Sequence, residues 1–248
     1  MNPFSIDINC DMGEGIGNEA DLMPFISSAN IACGFHAGTA DTIKKTIELA
    51  QENGVAIGAH PSYNDPENFG RVSQFLSLLE LAELIAEQYY LFEKIAVPMG
   101  AKIHHVKLHG ALYNDCAKDP VLSKTFIQTI HAIDPALCIY GLSGSHTIQE
   151  ALLLGQPFAR EAFADRTYQN NGQLTPRHLD HALIENLDQV NAQLLKMIQE
   201  HKVVSLQGEV IDLNVDTICI HGDGENAIEF ATGIYKTLKD NKIEIKYK

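Results

Sequence analysis

His105-Val106-Lys107-Leu108-His109 places basic groups at every second position and apolar residues between them. In an extended strand successive side chains point to opposite faces, so His105, Lys107 and His109 share one face and Val106 and Leu108 the other. Asp7, Asn9 and Asp11 alternate with Ile8 and Cys10 in the same way, and Glu161, Phe163 and Asp165 alternate with Ala162 and Ala164. If the apolar faces pack on helices, the polar faces look into the lumen of a closed sheet. A lysine facing carboxylates in such a place is costly unless paired. These positions are therefore functional candidates.

Working outward, short β-branched or apolar runs alternate with longer segments of helical period. Strands are expected near Ser5–Asn9, Ala29–Cys33, Ala56–His60, His105–His109, Cys138–Leu142, Arg160–Phe163 and Thr217–His221. Helices are expected near Thr42–Asn53, Leu76–Val97, Val121–Ile133, His146–Leu154, Leu179–Lys202 and Asn226–Asp240. Leu179, Leu183, Leu187, Val190, Leu194 and Ile198 show the three- and four-residue recurrence of one buried helix face. A small hairpin is expected within Val203–Asn214. Alternating β and α units imply a parallel sheet with helices outside it. Seven strand candidates without a linker favour a closed or nearly closed barrel over residues 1–248, a single domain. A doubly wound sheet is the alternative, but no GxGxxG follows the first strand.

The 248 residues carry 45% hydrophobic and 20% charged side chains and a formal net charge of −14. That suits a globular chain with a full core. It argues against nucleic acid and anionic membranes as partners, since the field repels both. The five cysteines form no CxxC pair, and Cys33, Cys138 and Cys219 lie in apolar runs. Reduced, structural cysteines in a cytoplasmic protein are expected. The opening MNPFSIDINCDMGEG has neither a basic nor an apolar leader region, so no signal peptide is expected.

The unusual polar residues gather at the C-terminal ends of the expected strands. The first ends in Asp7, Asn9, Asp11 and Glu14, the second in Cys33-Gly34-Phe35-His36, and the third in His60, leading on to Arg71. The fourth ends in Lys107, His109 and Tyr113. The sixth ends in Glu161, Asp165 and Arg166, with Arg177 further on, and the seventh in His221-Gly222-Asp223. In parallel barrels that rim is where sites are built. Only four arginines occur, and Arg71, Arg166 and Arg177 fall in rim loops, whereas Arg160 lies within a strand. Guanidinium forks suit carboxylate and phosphate oxygens, so the three rim arginines are read as an anion-recognition set and Arg160 as structural. The i, i+4 spacing of His105 and His109 is that of a helical zinc motif. With Val106 and Gly110 beside them it is not read as one.

The same segments carry a resemblance. Asp7-Ile-Asn-Cys-Asp-Met-Gly-Glu-Gly-Ile-Gly17, Ser28-Ala-Asn-Ile-Ala-Cys-Gly-Phe-His-Ala-Gly38 and Gly58-Ala-His-Pro-Ser-Tyr63 are similar to signatures of the LamB/YcsF family. Lys107-Leu-His-Gly-Ala-Leu-Tyr-Asn114, Phe163-Ala-Asp-Arg-Thr-Tyr168 and His221-Gly-Asp223 continue the match in order. Thr39-Ala40, Val72, Leu108 and Asn171 depart from the family pattern, which has Asp-Pro, Arg, Pro and Asp there. The resemblance implies a distorted seven-stranded (β/α) barrel, TIM-like and related to the glycoside hydrolase and deacetylase barrels. It also implies one component of a 5-oxoprolinase, the A chain, which acts with B and C subunits to hydrolyse 5-oxo-L-proline to L-glutamate while ATP is consumed. No GxxxxGK[ST] loop occurs, so ATP contact is expected with or through a partner chain.

Under that reading Lys107 is the electrostatic stabiliser, and Asp11, Glu14 and His109 compete for the acid and base roles. Asp7, Asn9, His36, His60, Arg71, Tyr113, Glu161, Asp165, Arg166, Arg177, His221 and Asp223 are expected to hold substrate. One alternative is a metal-dependent amide or sugar deacetylase, with Asp7 or Asp11, His36 and His60 as ligands. A non-catalytic subunit that only delivers substrate is the other. Metal analysis separates the first, and the lumen-facing Lys107 among acids weighs against the second.

Overall fold

The computed structural model describes residues 4–177, 179–220, 222, 224 and 226–247. Seven parallel strands form the barrel: β1 (Ser5–Met12), β2 (Ser28–Ala32), β3 (Ala56–His60), β4 (Ile103–Lys107), β5 (Cys138–Leu142), β6 (Phe158–Phe163) and, after a two-stranded hairpin of β7 (Lys202–Val204) and β8 (Val210–Asp212), β9 (Thr217–Ile220). They pair in chain order, and β9 pairs with both β6 and β1 to close the ring. A last short strand, β10 (Glu244–Ile245), joins Ser5 and Ile6 of β1 outside the ring. The closed alternative is thus the one adopted, and the expected hairpin is present.

Register carries the alternation around the ring. Asp11 lies beside Asn30, Asn30 beside Gly58, Gly58 beside His105, and Lys107 beside Tyr140. Leu142 lies beside Glu161, Glu161 beside Thr217, and Thr217 beside Asp7. Neighbours in parallel register share a face, so one polar face closes on itself as the lumen. The intervening Ile8, Cys10, Ile31, Ala59, Val106, Ile139, Ala162 and Ile218 are buried on the outer face in the main apolar core.

Helices α1 (Glu19–Leu22), α2 (Ala40–Asn53), α3 (Leu78–Ala96), α4 (Gly110–Lys118), α5 (Pro120–Ile133), α6 (His146–Leu154), α7 (Leu187–Glu200) and α8 (Ala227–Asp240) accompany the strands. Thr39 and Ser77 open α2 and α3 with reciprocal capping boxes. Asp119 and Ser145 cap α5 and α6 through side-chain oxygens. Two expectations need correction. The helix expected from Leu179 begins at Leu187, where Asn186 caps it. Leu179 and Leu183 are 47% and 45% exposed, and Leu183 instead bridges Arg166 in the loop after β6. Likewise β4 stops at Lys107, because the chain turns at Gly110 into the unforeseen α4. Gly110 has φ +58°, and a Cβ there would lie 2.5 Å from the Gly70 carbonyl oxygen, so the turn requires glycine.

Candidate active site

At the N-terminal end of the lumen the polar groups form a hydrogen-bonded network, which reaches Asp11 through Asn30. Asp7 accepts from the hydroxyls of Ser27 at 2.6 Å, Ser28 at 2.8 Å and Thr217 at 2.6 Å. Burial nevertheless raises its carboxyl pKa, with the three hydroxyls acting against that shift. Asn9 donates to Thr217 at 2.7 Å, and Asn30 donates to Asn9 at 2.8 Å. His105 Nε2 lies 2.8 Å from Asn30 Oδ1, and its ring stacks on Tyr140 with centroids 4.1 Å apart. Asp7, expected to hold substrate, thus sits 1% exposed on the floor, bound to its own barrel. The His105 ring occupies the space over Gly58, where any Cβ would collide with it.

Above this floor Lys107 crosses the lumen. Its Nζ lies 2.9 Å from Asp11 Oδ1, 2.9 Å from Glu161 Oε1, 3.1 Å from Asn9 Oδ1 and 3.2 Å from Cys219 Sγ. Burial alone would push the ammonium pKa down. Asp11, Cys219 and Glu161 outweigh it and hold the pKa well above the ordinary lysine value. Burial would likewise raise Asp11, but His60 and Lys107 keep it well below the usual carboxylate range. The Tyr113 hydroxyl donates to Glu161 Oε2 at 2.6 Å, and its pKa is driven well above ordinary by burial and by Glu161. Lys107 is therefore favoured as a cation by the carboxyl groups of Asp11 and Glu161 on either side of it, the pairing a buried lysine needs.

Asp11 also joins a second group. Its Oδ2 lies 3.3 Å from His60 Nε2, which is 2.9 Å from His109 Nδ1. Glu14 Oε1 lies 3.1 Å from His36 Nε2 and 3.4 Å from His109 Nδ1. The rings of His36 and His109 stack at 3.8 Å, 5° from parallel. Burial, then His60, lowers the His36 pKa to about 3, and burial with His60 and His36 lowers that of His109 to about 2. Both imidazoles are neutral.

A cleft of about 1030 Å³ opens over these groups, with Asp11, Glu14, Lys107, His109 and Tyr113 in its lining. Arg71, Arg166 and Arg177 line it too, as expected of the rim arginines. Their surroundings differ, however. Arg71 lies 5.0 Å from the centroid of the Phe69 ring. Arg166 is 6% exposed and donates to the carbonyls of Thr175 at 2.6 Å and Ala182 at 3.3 Å. It thereby ties together the loop that carries Arg177, whose charge in turn lowers the Arg166 pKa after burial does. Asp165 lies beside Arg166 and acts on it in the opposite sense. Arg160 also lines the cleft, where Asp216 holds it through Nε at 2.7 Å and Nη2 at 3.1 Å. His221 and Asp223 lie outside the described residues. Asn30, Ser62 and Phe69 also belong to the site and were not singled out from the sequence. Asn30 sits two residues after Ser28 on the polar face of β2, a signal the alternation contained.

A closed seven-stranded parallel barrel with a buried lysine–carboxylate centre at the C-terminal mouth defines the class, a TIM-like barrel. The chain belongs to the LamB/YcsF family, whose sequence profile matches residues 6–248. It is 45% identical over 250 residues to the A chain of 5-oxoprolinase from Bordetella parapertussis, covering 99% of each chain. The crystal structure of a lactam utilization protein from Thermus thermophilus superposes with a TM-score of 0.93 at 34% identity, over 99% of this chain and 100% of that one. A peptidoglycan deacetylase of Bacillus subtilis, 13% identical with a TM-score of 0.51 over 99% and 88% of the two chains, shares the fold. Among the described residues no helix is long and apolar enough to cross a membrane.

Proposed function

We propose that this chain is the A component of a cytoplasmic, ATP-dependent 5-oxoprolinase and that the lactam ring is opened in the cleft over Lys107. The observation that carries this reading is the Lys107 cation, fixed between Asp11 and Glu161 beneath a cleft lined by arginines, in a chain similar along its whole length to the A chains of 5-oxoprolinases. An unstrained lactam carbonyl is a poor electrophile. Transfer of the ATP γ-phosphoryl group to the lactam oxygen, with ADP leaving, makes the ring carbon easier to attack. Water then adds to that carbon, the C–N bond breaks as nitrogen takes a proton, and a second water cleaves the acyl phosphate to glutamate and phosphate.

Lys107 stabilises the oxygen that becomes negative, where a preorganised cation in a dry site acts most strongly. Asp11, Glu14 and His109, at the base of the cleft, compete for the proton of the attacking water. Arg71 and Arg177 hold the substrate carboxylate. ATP is bound with or by the B and C partner subunits. The test is ATP-dependent glutamate release from 5-oxoproline by the purified chain, alone and with those subunits. Little release alone and full release with them is expected. Full turnover by the chain alone removes the partner requirement, and no glutamate from the complete set removes the reading.

A further inference from the structure

Glu14, His36 and His109 follow β1, β2 and β4 and His60 ends β3, yet one donor atom of each lies within 4.8 Å of every other. The outward hydrogen bonds of the rings fix where their protons are. His60 Nδ1 lies 2.7 Å from the Lys107 carbonyl oxygen, and His109 Nε2 lies 2.9 Å from the Phe69 carbonyl oxygen. A carbonyl only accepts, so both nitrogens carry hydrogen. His36 Nδ1 lies 2.9 Å from Ser62 Oγ, whose own proton goes to the Tyr63 carbonyl at 2.9 Å, so His36 Nδ1 is again the donor.

A ring with a single proton, held on that outward nitrogen, presents a lone pair on its inner nitrogen, as does the Glu14 carboxylate. These lone pairs face one another: His60 to His109 at 2.9 Å, His36 to Glu14 at 3.1 Å, and His109 to Glu14 at 3.4 Å. Acceptor against acceptor at such separations is repulsive unless positive charge lies between them. A single proton relieves one of these contacts and leaves the others. A metal ion relieves all of them, and these three separations are close to the ~3.3 Å edge of a tetrahedron with bonds of about 2.0 Å, while the remaining pairs lie within 4.8 Å. Imidazoles held from behind by carbonyl and hydroxyl oxygens are also how ligating histidines are oriented.

The geometry points to a divalent transition-metal site formed by Glu14, His36, His60 and His109, with the Asp11 carboxylate beside it. Three nitrogens and one carboxylate oxygen select zinc, cobalt or ferrous ion over magnesium or calcium, which take oxygen ligands. Glu14 and His109 line the cleft, so an ion there is reached from the same side as a substrate. When bound, such an ion supplies Lewis-acid chemistry or an acidified water. The inference concerns binding, and its test does not involve lactam opening; with an ion held by Glu14 and His109, the acceptor left to the attacking water is Asp11.

The test uses the full chain without lactam, ATP or partners. Metal content is read by plasma mass spectrometry on protein purified without chelator, then after chelator treatment and reloading with zinc or cobalt. About one equivalent retained through gel filtration is expected, with the absorption bands of tetrahedral cobalt in the cobalt form. Glu14→Gln and His36→Gln should retain at least tenfold less zinc while keeping the native circular dichroism spectrum. Should either fail to fold, Ser62→Ala serves instead. It touches no ion, removes the hydroxyl that links the His36 ring to the Tyr63 carbonyl, and should weaken zinc binding roughly 10–100-fold. Failure of the chelated wild type to take up zinc, cobalt or ferrous ion overturns the inference. So does retention undiminished in the variants, or an octahedral cobalt spectrum.

Discussion

Polar groups occupy both ends of the lumen, but its floor and its mouth meet the cost of buried polarity in opposite ways. At the floor each donor finds an acceptor. Thr217 donates to Asp7 and accepts from Asn9, Asn9 accepts from Asn30, and Asn30 Oδ1 meets His105 Nε2. At the mouth the same barrel presents a lysine between two carboxylates, and imidazole nitrogens turned toward one another and toward Glu14. A saturated buried network gives rigidity and a unique arrangement. Groups of like polarity in a low-dielectric site interact strongly with whatever charge enters. The floor thus belongs to the fold, and the mouth belongs to chemistry.

The sharpest way to break this division is Lys107→Met, which keeps the aliphatic stem and removes the cation. Turnover of the reconstituted complex should fall ~10²–10³-fold, about 3–4 kcal/mol of barrier. Because Asp11 and Glu161 lose their partner, urea unfolding should also show a stability loss of roughly 3–5 kcal/mol. Near-wild-type turnover would make Lys107 part of the floor rather than of the mouth.

Gly58→Ala tests the other side. Its Cβ collides with the His105 ring, and such overpacking costs roughly 1–3 kcal/mol of stability. Turnover per folded molecule should be unchanged, and a turnover loss larger than the stability loss would join floor to mouth. Smaller effects are expected at the arginines. Arg166→Lys loses a planar fork that holds two loop carbonyls, and the KM for lactam should rise roughly tenfold through a loosened loop. Arg160→Lys, at a side chain 34% exposed, should cost under about 1 kcal/mol and leave KM alone. Equal behaviour of the two variants contradicts the difference in their surroundings.

The last contrast is one of sign rather than size. Asp11 has a lowered pKa in the folded chain, so it contributes stability above pH 3.8 that is lost as pH falls through the folded value. Asp7 has a raised pKa, so its contribution is present below pH 3.8 and is lost as pH rises through the folded value. Urea unfolding of chelator-treated protein across the acid range should therefore show opposite trends. The stability gap between wild type and Asp11→Asn should shrink on acidification, while the gap to Asp7→Asn should widen. Parallel trends would contradict the opposite environments of the two carboxylates.

Much of the fold and part of the site were legible in the chain. The period-two alternation in Asp7–Asp11, His105–His109 and Glu161–Asp165 determined which side chains face the lumen, because a strand leaves no other choice once its apolar face is buried. The rim position of the arginines followed from loop composition. By contrast, the leucine spacing across Leu179–Leu187 overstated α7, since periodicity does not register that Leu183 pairs with Arg166 in a loop. Tertiary structure alone decided that Asp7 is sealed beneath Asp11, although both lie on one face of β1. It also decided that Arg166 spends its fork on loop carbonyls, and that the ends of four strands bring Glu14, His36, His60 and His109 to a common point. The alternation sets a side chain's face. Its depth, and the nitrogen it turns inward, depend on barrel register and on carbonyls such as those of Lys107 and Phe69, which only the closed ring brings into place.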